Sequence, residues 1–163
     1  MMPAPLAGPP DDAPTLLGEP GASRVVLVVD DEPSIRLVLR RTLVRDGWIV
    51  EEASDGPAAQ ALLRDRSRPY AAVVLDVSLP GMSGAQLYEW LSGERPELLG
   101  RLVIASGAPS PFFEDVGRPV LPKPFEITAV RDTVRQVADA ADAADADAAH
   151  AAAALRPPGV RAG

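Results

Sequence analysis

From Arg24 to Ala138 the chain alternates short apolar runs with longer amphipathic stretches, and this alternation narrows the fold more than any other feature. Arg24–Val29 (RVVLVV) is a β-branched run without polar alternation, the pattern of a parallel strand buried on both faces. Pro33–Asp46 follows, with Ile35, Val38, Leu39 and Leu43 at helical spacing and Gly47 placed to end the helix. The same pairing recurs at Trp48–Ala53 with Asp55–Arg66, a helix that Asp55 opens. It recurs again at Ala71–Leu75 with Ser83–Ser92, where Leu87, Trp90 and Leu91 share one side. Arg101–Ala105 reads as a fourth strand and Pro119–Leu121 as a short fifth. Glu126 starts a last helix, with Ile127, Val130, Val134 and Val137 expected to face inward. Five alternations in about 115 residues imply an α/β fold, an open parallel sheet with helices on both faces. Right-handed crossovers leave few topologies. The flavodoxin-like (βα)5 doubly wound sheet, strand order 2-1-3-4-5, is the commonest at this size. Between the fourth and fifth strands only Pro111–Gly117 has helical character, about two turns at most. Helix four is therefore expected to be shortened or missing, or replaced by a loop that displays Phe112 and Phe113.

The flanks differ in composition. Residues 1–23 hold six prolines, three glycines and no basic residue, which predicts a disordered leader. Residues 24–138 form the expected domain. Residues 139–163 are an Ala/Asp-rich tail that can extend the last helix, since alanine is the best helix former, until Pro157 and Pro158 stop it. Nothing in the tail resembles an output domain. A net charge of −7 argues against a nucleic-acid surface. The absence of cysteine excludes disulfides and thiolate metal sites. No apolar run reaches membrane length and no signal-peptide layout is present, so a cytoplasmic protein is expected. All but one of the 16 basic residues are arginine, and the exception is Lys123.

In such folds ligands bind outside the carboxyl ends of the strands, near the point where strand order reverses. Asp30, Asp31 and Glu32 follow the first strand, Asp76 and Ser78 the third, Ser106 the fourth and Lys123 the fifth. In the order 2-1-3-4-5, Asp30, Asp31 and Asp76 would crowd together, with Ser106 and Lys123 closing the far side. Three carboxylates in a small pocket need a counter-charge, and Mg²⁺ suits carboxylate, carbonyl and water ligands. A hydroxyl and an ammonium opposite suit phosphoryl oxygens. Asp76 is then the natural nucleophile, giving an acyl phosphate. Simpler readings exist for the same residues. Asp30 and Asp31 also suit a cap for the helix at Pro33, Asp76 suits a turn before Pro80-Gly81, and Ser106-Gly107 alone is uninformative. Lys123 is less easily explained away, because guanidinium does not replace a compact ammonium at a tight phosphate site.

VVDDEP at Val28–Pro33, LDVSLPGMSG at Leu75–Gly84, ASG at Ala105–Gly107 and KPF at Lys123–Phe125 resemble the sequence blocks of response-regulator receiver domains (CheY-like) of bacterial two-component phosphorelay systems. The resemblance implies that Asp76 is the phosphorylated aspartate, that Asp30 and Asp31 hold Mg²⁺ together with Asp76 and the Ser78 carbonyl, that Ser106 is the switch hydroxyl, and that Lys123 contacts the phosphate. It implies a phosphoacceptor signalling domain rather than a separate enzyme, one that assists its own Mg²⁺-dependent phosphotransfer and dephosphorylation. The partners it implies are a sensor histidine kinase or histidine phosphotransfer protein and an unidentified downstream protein, with no nucleic acid and no membrane, and it leaves room for a homodimer. Two features depart from the family. Val120 stands where an aromatic residue is usual on strand five, and the segment after Ser106 is short. The expectation is a stand-alone receiver. The alternative is a degenerate receiver acting as a phosphorylation-independent interaction module. An aspartate-nucleophile phosphohydrolase would want a second acid where this chain has Ser78.

Overall fold

The structure, a computed structural model, describes residues 24–155; the expected leader and the last residues of the tail fall outside them. Five strands, β1 (Val25–Val29), β2 (Ile49–Ala53), β3 (Tyr70–Asp76), β4 (Leu102–Ser106) and β5 (Val120–Pro122), form one sheet. All pairings are parallel, in the order β2-β1-β3-β4-β5, as the alternation predicts. The helices are α1 (Pro33–Arg45), α2 (Gly56–Arg64), α3 (Gly84–Glu94), α4 (Pro111–Asp115) and α5 (Ile127–Ala154), with a 3-10 helix at Pro96–Arg101. Among the described residues no helix is long and apolar enough to cross a membrane.

Each face of the sheet has its own core. Val26, Val28, Val74 and Val103 pack under α1 and α5 with Leu39, Leu43, Val130, Val134 and Val137. Leu27, Val29, Val73, Leu75 and Ile104 pack under α2, α3 and α4 with Leu63, Leu87, Leu91 and Phe113. Because successive strand residues point to opposite faces, runs such as Tyr70–Leu75 must be apolar throughout, and every residue of β3 is buried. The α2 helix starts where Asp55 accepts a hydrogen bond from the Ala58 amide at 2.7 Å, and Ser83 with Gln86 builds a capping box at α3. Gly47, at φ 93°, ends α1 in the left-handed region.

Several local expectations fail. Ile127, which the apolar spacing turns inward, is 59% exposed, and Val38, part of the helical apolar spacing of α1, is 46% exposed. The core stripes of α1 and α5 are narrower than the apolar pattern, since Leu39 with Leu43 and Val130 with Val134 already fill the space over β1 and β3. Strand four begins at Leu102, because Arg101 closes the 3-10 helix. The second helix stops at Arg64, where the Asp65 carboxylate instead ties down Ser67 and Arg68. Helix α4 is present but short: Phe113 is buried and packs edge-to-face with Phe112 and Tyr88, at centroid distances of 5.0 and 6.1 Å. The rings thus cover the end of the core that a longer helix would otherwise shield.

Two ionic clasps hold α5. Asp46, its side chain fully out of solvent, accepts hydrogen bonds from Arg131, Arg135 and the Trp48 indole. Burial alone would raise its pKa, but the two guanidinium groups outweigh that and hold it below the usual carboxylate range. Further along, buried Arg101 donates to the Ala71 carbonyl at 3.0 Å and to Asp142 and Asp145 at 2.8 and 2.7 Å. The helix therefore runs unbroken past Ala138, and its contact with the body reaches Asp145. A chain ending at Ala138 should be less stable by about 2 kcal/mol in urea unfolding, as charge-assisted hydrogen bonds to a buried guanidinium are lost. A chain ending at Ala148 should match the full length. Equal stability of both would show that the clasp contributes nothing.

Candidate functional site

The register of the sheet assembles the site. Val29 pairs with Leu75, Asp76 with Ala105 and Ser106 with Pro122, so the residues ending or following β1, β3, β4 and β5 lie along one edge. Asp30 is 1% exposed and Asp76 5%, whereas Asp31 is open to solvent. One carboxylate oxygen from each of the three lies within 4.8 Å of the others. Lys123 reaches in from the end of β5: its Nζ donates to Asp30 Oδ2 at 2.7 Å and stands 3.3 Å from Asp76 Oδ2.

The surrounding backbone fixes these side chains. Asp30 Oδ1 accepts the Glu32 amide at 2.9 Å, so Asp30 braces the turn into α1, while Glu32 occupies the cap position without a side-chain cap bond. Arg36, which no motif singles out, donates to the Asp30 carbonyl at 2.7 Å. Asp76 Oδ1 accepts the Ser78 amide at 3.2 Å. Helix α3 begins directly against this strand end: a Cβ on Gly84 would lie 2.8 Å from the Asp76 carbonyl oxygen, so only glycine permits that approach. Gly81, at φ 78°, turns the loop between them. The Lys123 amide bonds the Ser106 carbonyl at 2.9 Å, and the Lys123–Pro124 peptide is cis.

Burial pushes the Asp76 pKa up, helped by the negative charge of Asp30. The Ser78 amide and Lys123 pull against this without cancelling it. For Lys123, burial works to lower the pKa, but the hydrogen bond to Asp30 and the charges of Asp76 and Asp30 prevail, and the ammonium is held above its usual range. The pocket thus has more negative charge than one ammonium neutralises. A small, hard divalent cation fits such a donor set, with Asp30, Asp31 and Asp76 offering convergent oxygens.

Of the sequence-predicted residues, Asp30, Asp31, Asp76 and Lys123 come together. Ser78 is exposed in the loop beside Asp76. Ser106 ends β4 beside them, its hydroxyl donating to the Ala108 carbonyl and accepting the Ala108 amide at 3.2 Å. Val120, three residues before Lys123, is 46% exposed because short α4 leaves that side of β5 uncovered.

Comparison with known proteins bears on the family and the fold. The sequence model described as response regulator receiver domain matches residues 26–135. The chain is 43% identical over 88 residues to the probable transcriptional regulatory protein TcrX of Mycobacterium tuberculosis, spanning 54% of this chain and 37% of that protein. It is 29% identical over 142 residues to the sensor kinase CckA of Brucella abortus, spanning 79% of this chain and 15% of that protein. The chain therefore spans well under half the length of these relatives. The structure of chemotaxis response regulator CheY4 of Vibrio cholerae superposes with a TM-score of 0.63 at 28% identity, covering 71% of this chain and 98% of that one. A CheY-like receiver domain protein from Methanospirillum hungatei shares the fold, with a TM-score of 0.66 at 22% identity and coverage of 74% and 97%.

If the three carboxylates hold a cation, Mg²⁺ should raise the Tm of the wild type by binding the folded state, and raise it much less in Asp31→Ala. Thermal scans with and without Mg²⁺ check this. Equal shifts in both would place the cation elsewhere.

Proposed function

The chain belongs to the response regulator receiver domain family, and on that premise we propose that Asp76 accepts a phosphoryl group from a sensor histidine kinase or a histidine phosphotransfer protein. The observation that carries this reading is the Lys123 ammonium, the chain's one lysine, set between Asp30 and Asp76 at the switch point of the sheet. In this reading a carboxylate oxygen of Asp76 forms a bond to phosphorus. The bond from phosphorus to the donor's imidazole nitrogen breaks, and its electron pair stays on that nitrogen. Lys123 faces the developing negative charge on the phosphoryl oxygens, as an ammonium fixed in advance by Asp30. Burial of Asp76 keeps bulk water from solvating the nucleophile. A divalent cation such as Mg²⁺, held by Asp30, Asp31, Asp76 and the Ser78 carbonyl, would supply further positive charge to the phosphoryl oxygens.

Ser106 is the switch hydroxyl. Its bonds to Ala108 give it a position that it can exchange for a bond to a phosphoryl oxygen, and that exchange would pull the short segment before α4 with it. Signalling then proceeds through phosphorylation-dependent binding of a protein partner in the cytoplasm, with residues 24–138 acting as the receiver.

Incubation with acetyl phosphate and Mg²⁺ should label the wild type, as read by phosphate-affinity gel or intact mass. Asp76→Asn should lose the label while keeping its circular dichroism spectrum and melting transition. Labelling of the Asn variant at the wild-type level would remove the assignment. A wild type that takes no label would favour a phosphorylation-independent interaction module.

A further inference from the structure

Helix α1 carries Arg36, Arg40, Arg41 and Arg45 and no acidic residue, in a chain of net charge −7. Arg36 and Arg40 turn toward Glu52, at 3.5 and 3.2 Å. Arg41 and Arg45 make no ion pair among the described residues. Between them the helix exposes Leu37, Val38 and Val44, each about half open to solvent, and Ile127 at the start of α5 continues the same apolar strip. Together with Thr42 and Arg131 these residues line a groove of about 860 Å³ between α1 and the first turns of α5. The apolar residues lie outside the core, and of the arginines that rim them Arg40 and Arg131 are paired with Glu52 and Asp46, while Arg41 and Arg45 have no carboxylate partner among the described residues. A surface of this kind fits a partner that is both acidic and weakly apolar.

The chain itself contains such a segment. Beyond Val137, α5 is made of alanine with Asp139, Asp142, Asp145, Asp147 and His150, and it stays helical to Ala154. Asp142 and Asp145 face Arg101, but Asp139 and Asp147 are exposed, and the helix beyond Asp145 lies open to solvent. This acidic end cannot reach the groove of its own molecule. Ile127 and Asp147 are 20 residues apart on one continuous helix, which separates them by about 30 Å along its axis. Basic start and acidic end therefore sit at opposite ends of one rod, so two rods laid antiparallel match charge at both ends.

We propose that the α1/α5 groove binds the Ala/Asp-rich end of α5 from a second copy of this chain, reciprocally, as a two-fold dimer. Two-fold symmetry makes the two contacts identical, each groove receiving the other copy's helix. Alanine allows the partner helix to approach closely over Leu37, Val38 and Ile127, while Asp139 and Asp147 meet Arg41 and Arg45. The contact uses none of the residues around Asp76, so the dimer stands or falls independently of phosphorylation.

Sedimentation velocity of the full, unphosphorylated chain tests this. The wild type should show a monomer–dimer equilibrium that weakens with rising salt, because the rim contacts are ionic. Arg41→Asp with Arg45→Asp should weaken the dimer roughly tenfold or more, and so should Asp139→Arg with Asp147→Arg. These positions are exposed, so each variant should keep the wild-type melting transition. The four changes combined in one chain should restore association, since the swapped charges again match. A monomeric wild type overturns the proposal, as does a dimer that ignores the aspartate changes or a four-fold variant that stays dissociated. Wild type that remains monomeric yet sediments with phosphatidylserine vesicles, and loses this on arginine reversal, would assign the face to an anionic membrane surface instead.

Discussion

Two carboxylates, Asp30 and Asp76, stand almost out of water at neighbouring strand ends, and the Lys123 ammonium between them is what makes that arrangement tenable. Unit charges less than 5 Å apart repel by roughly 3 kcal/mol at an effective dielectric near 20. The cost of burying both anions comes in addition. Lys123 offsets much of this, and the remaining negative charge is left facing the exposed side, where Asp31 stands. The pocket is thus set up to draw in positive charge and, with it, a ligand bearing several oxygens. The proposed transfer of a phosphoryl group to Asp76 draws on that incomplete neutralisation.

The sheet makes this possible because its order reverses beside β1. Asp30 and Asp76 are 46 positions apart in sequence, yet β1 and β3 are adjacent, and the loops after them turn to opposite faces and leave the crevice open. The backbone then fixes each group. Arg36 and the Glu32 amide secure Asp30, the Ser78 amide secures Asp76, and the absence of a side chain at Gly84 lets α3 begin against the Asp76 carbonyl. Rigid strand ends hold the acids, while the Ala108 segment that engages Ser106 belongs to the most abbreviated part of the fold.

Much of this was legible in the sequence. Uninterrupted apolar runs mark buried parallel strands, and polar residues placed just after them can only gather at one edge of the sheet, which is why Asp30, Asp31, Asp76 and Lys123 group together from the sequence alone. What stayed hidden depended on tertiary contacts. Apolar periodicity placed Val38 and Ile127 in the core, but periodicity does not say how wide a stripe the neighbouring layer can accept, and both face solvent. Arg101 read as the start of a strand. Its partners, Asp142 and Asp145, lie three residues apart on one face of a distant helix, a spacing that signals a cation partner but does not name it. The same holds for Arg36, whose bond is to a backbone carbonyl and leaves no trace in residue types. The short segment after Ser106 suits either an abbreviated helix or a displayed loop. The Tyr88, Phe112 and Phe113 rings decide for the first, by closing the core end that five helical residues cannot cover.

The central claim is that the acid at the end of β3 forms an acyl phosphate. Borohydride reduces an aspartyl phosphate to homoserine, so the site can be read directly by treating phosphorylated protein with borohydride and sequencing its peptides by tandem mass spectrometry. The account predicts homoserine at position 76, and only in samples exposed to phosphodonor and Mg²⁺. Homoserine at position 30 or 31, or none in protein that has demonstrably taken up phosphate, would contradict it.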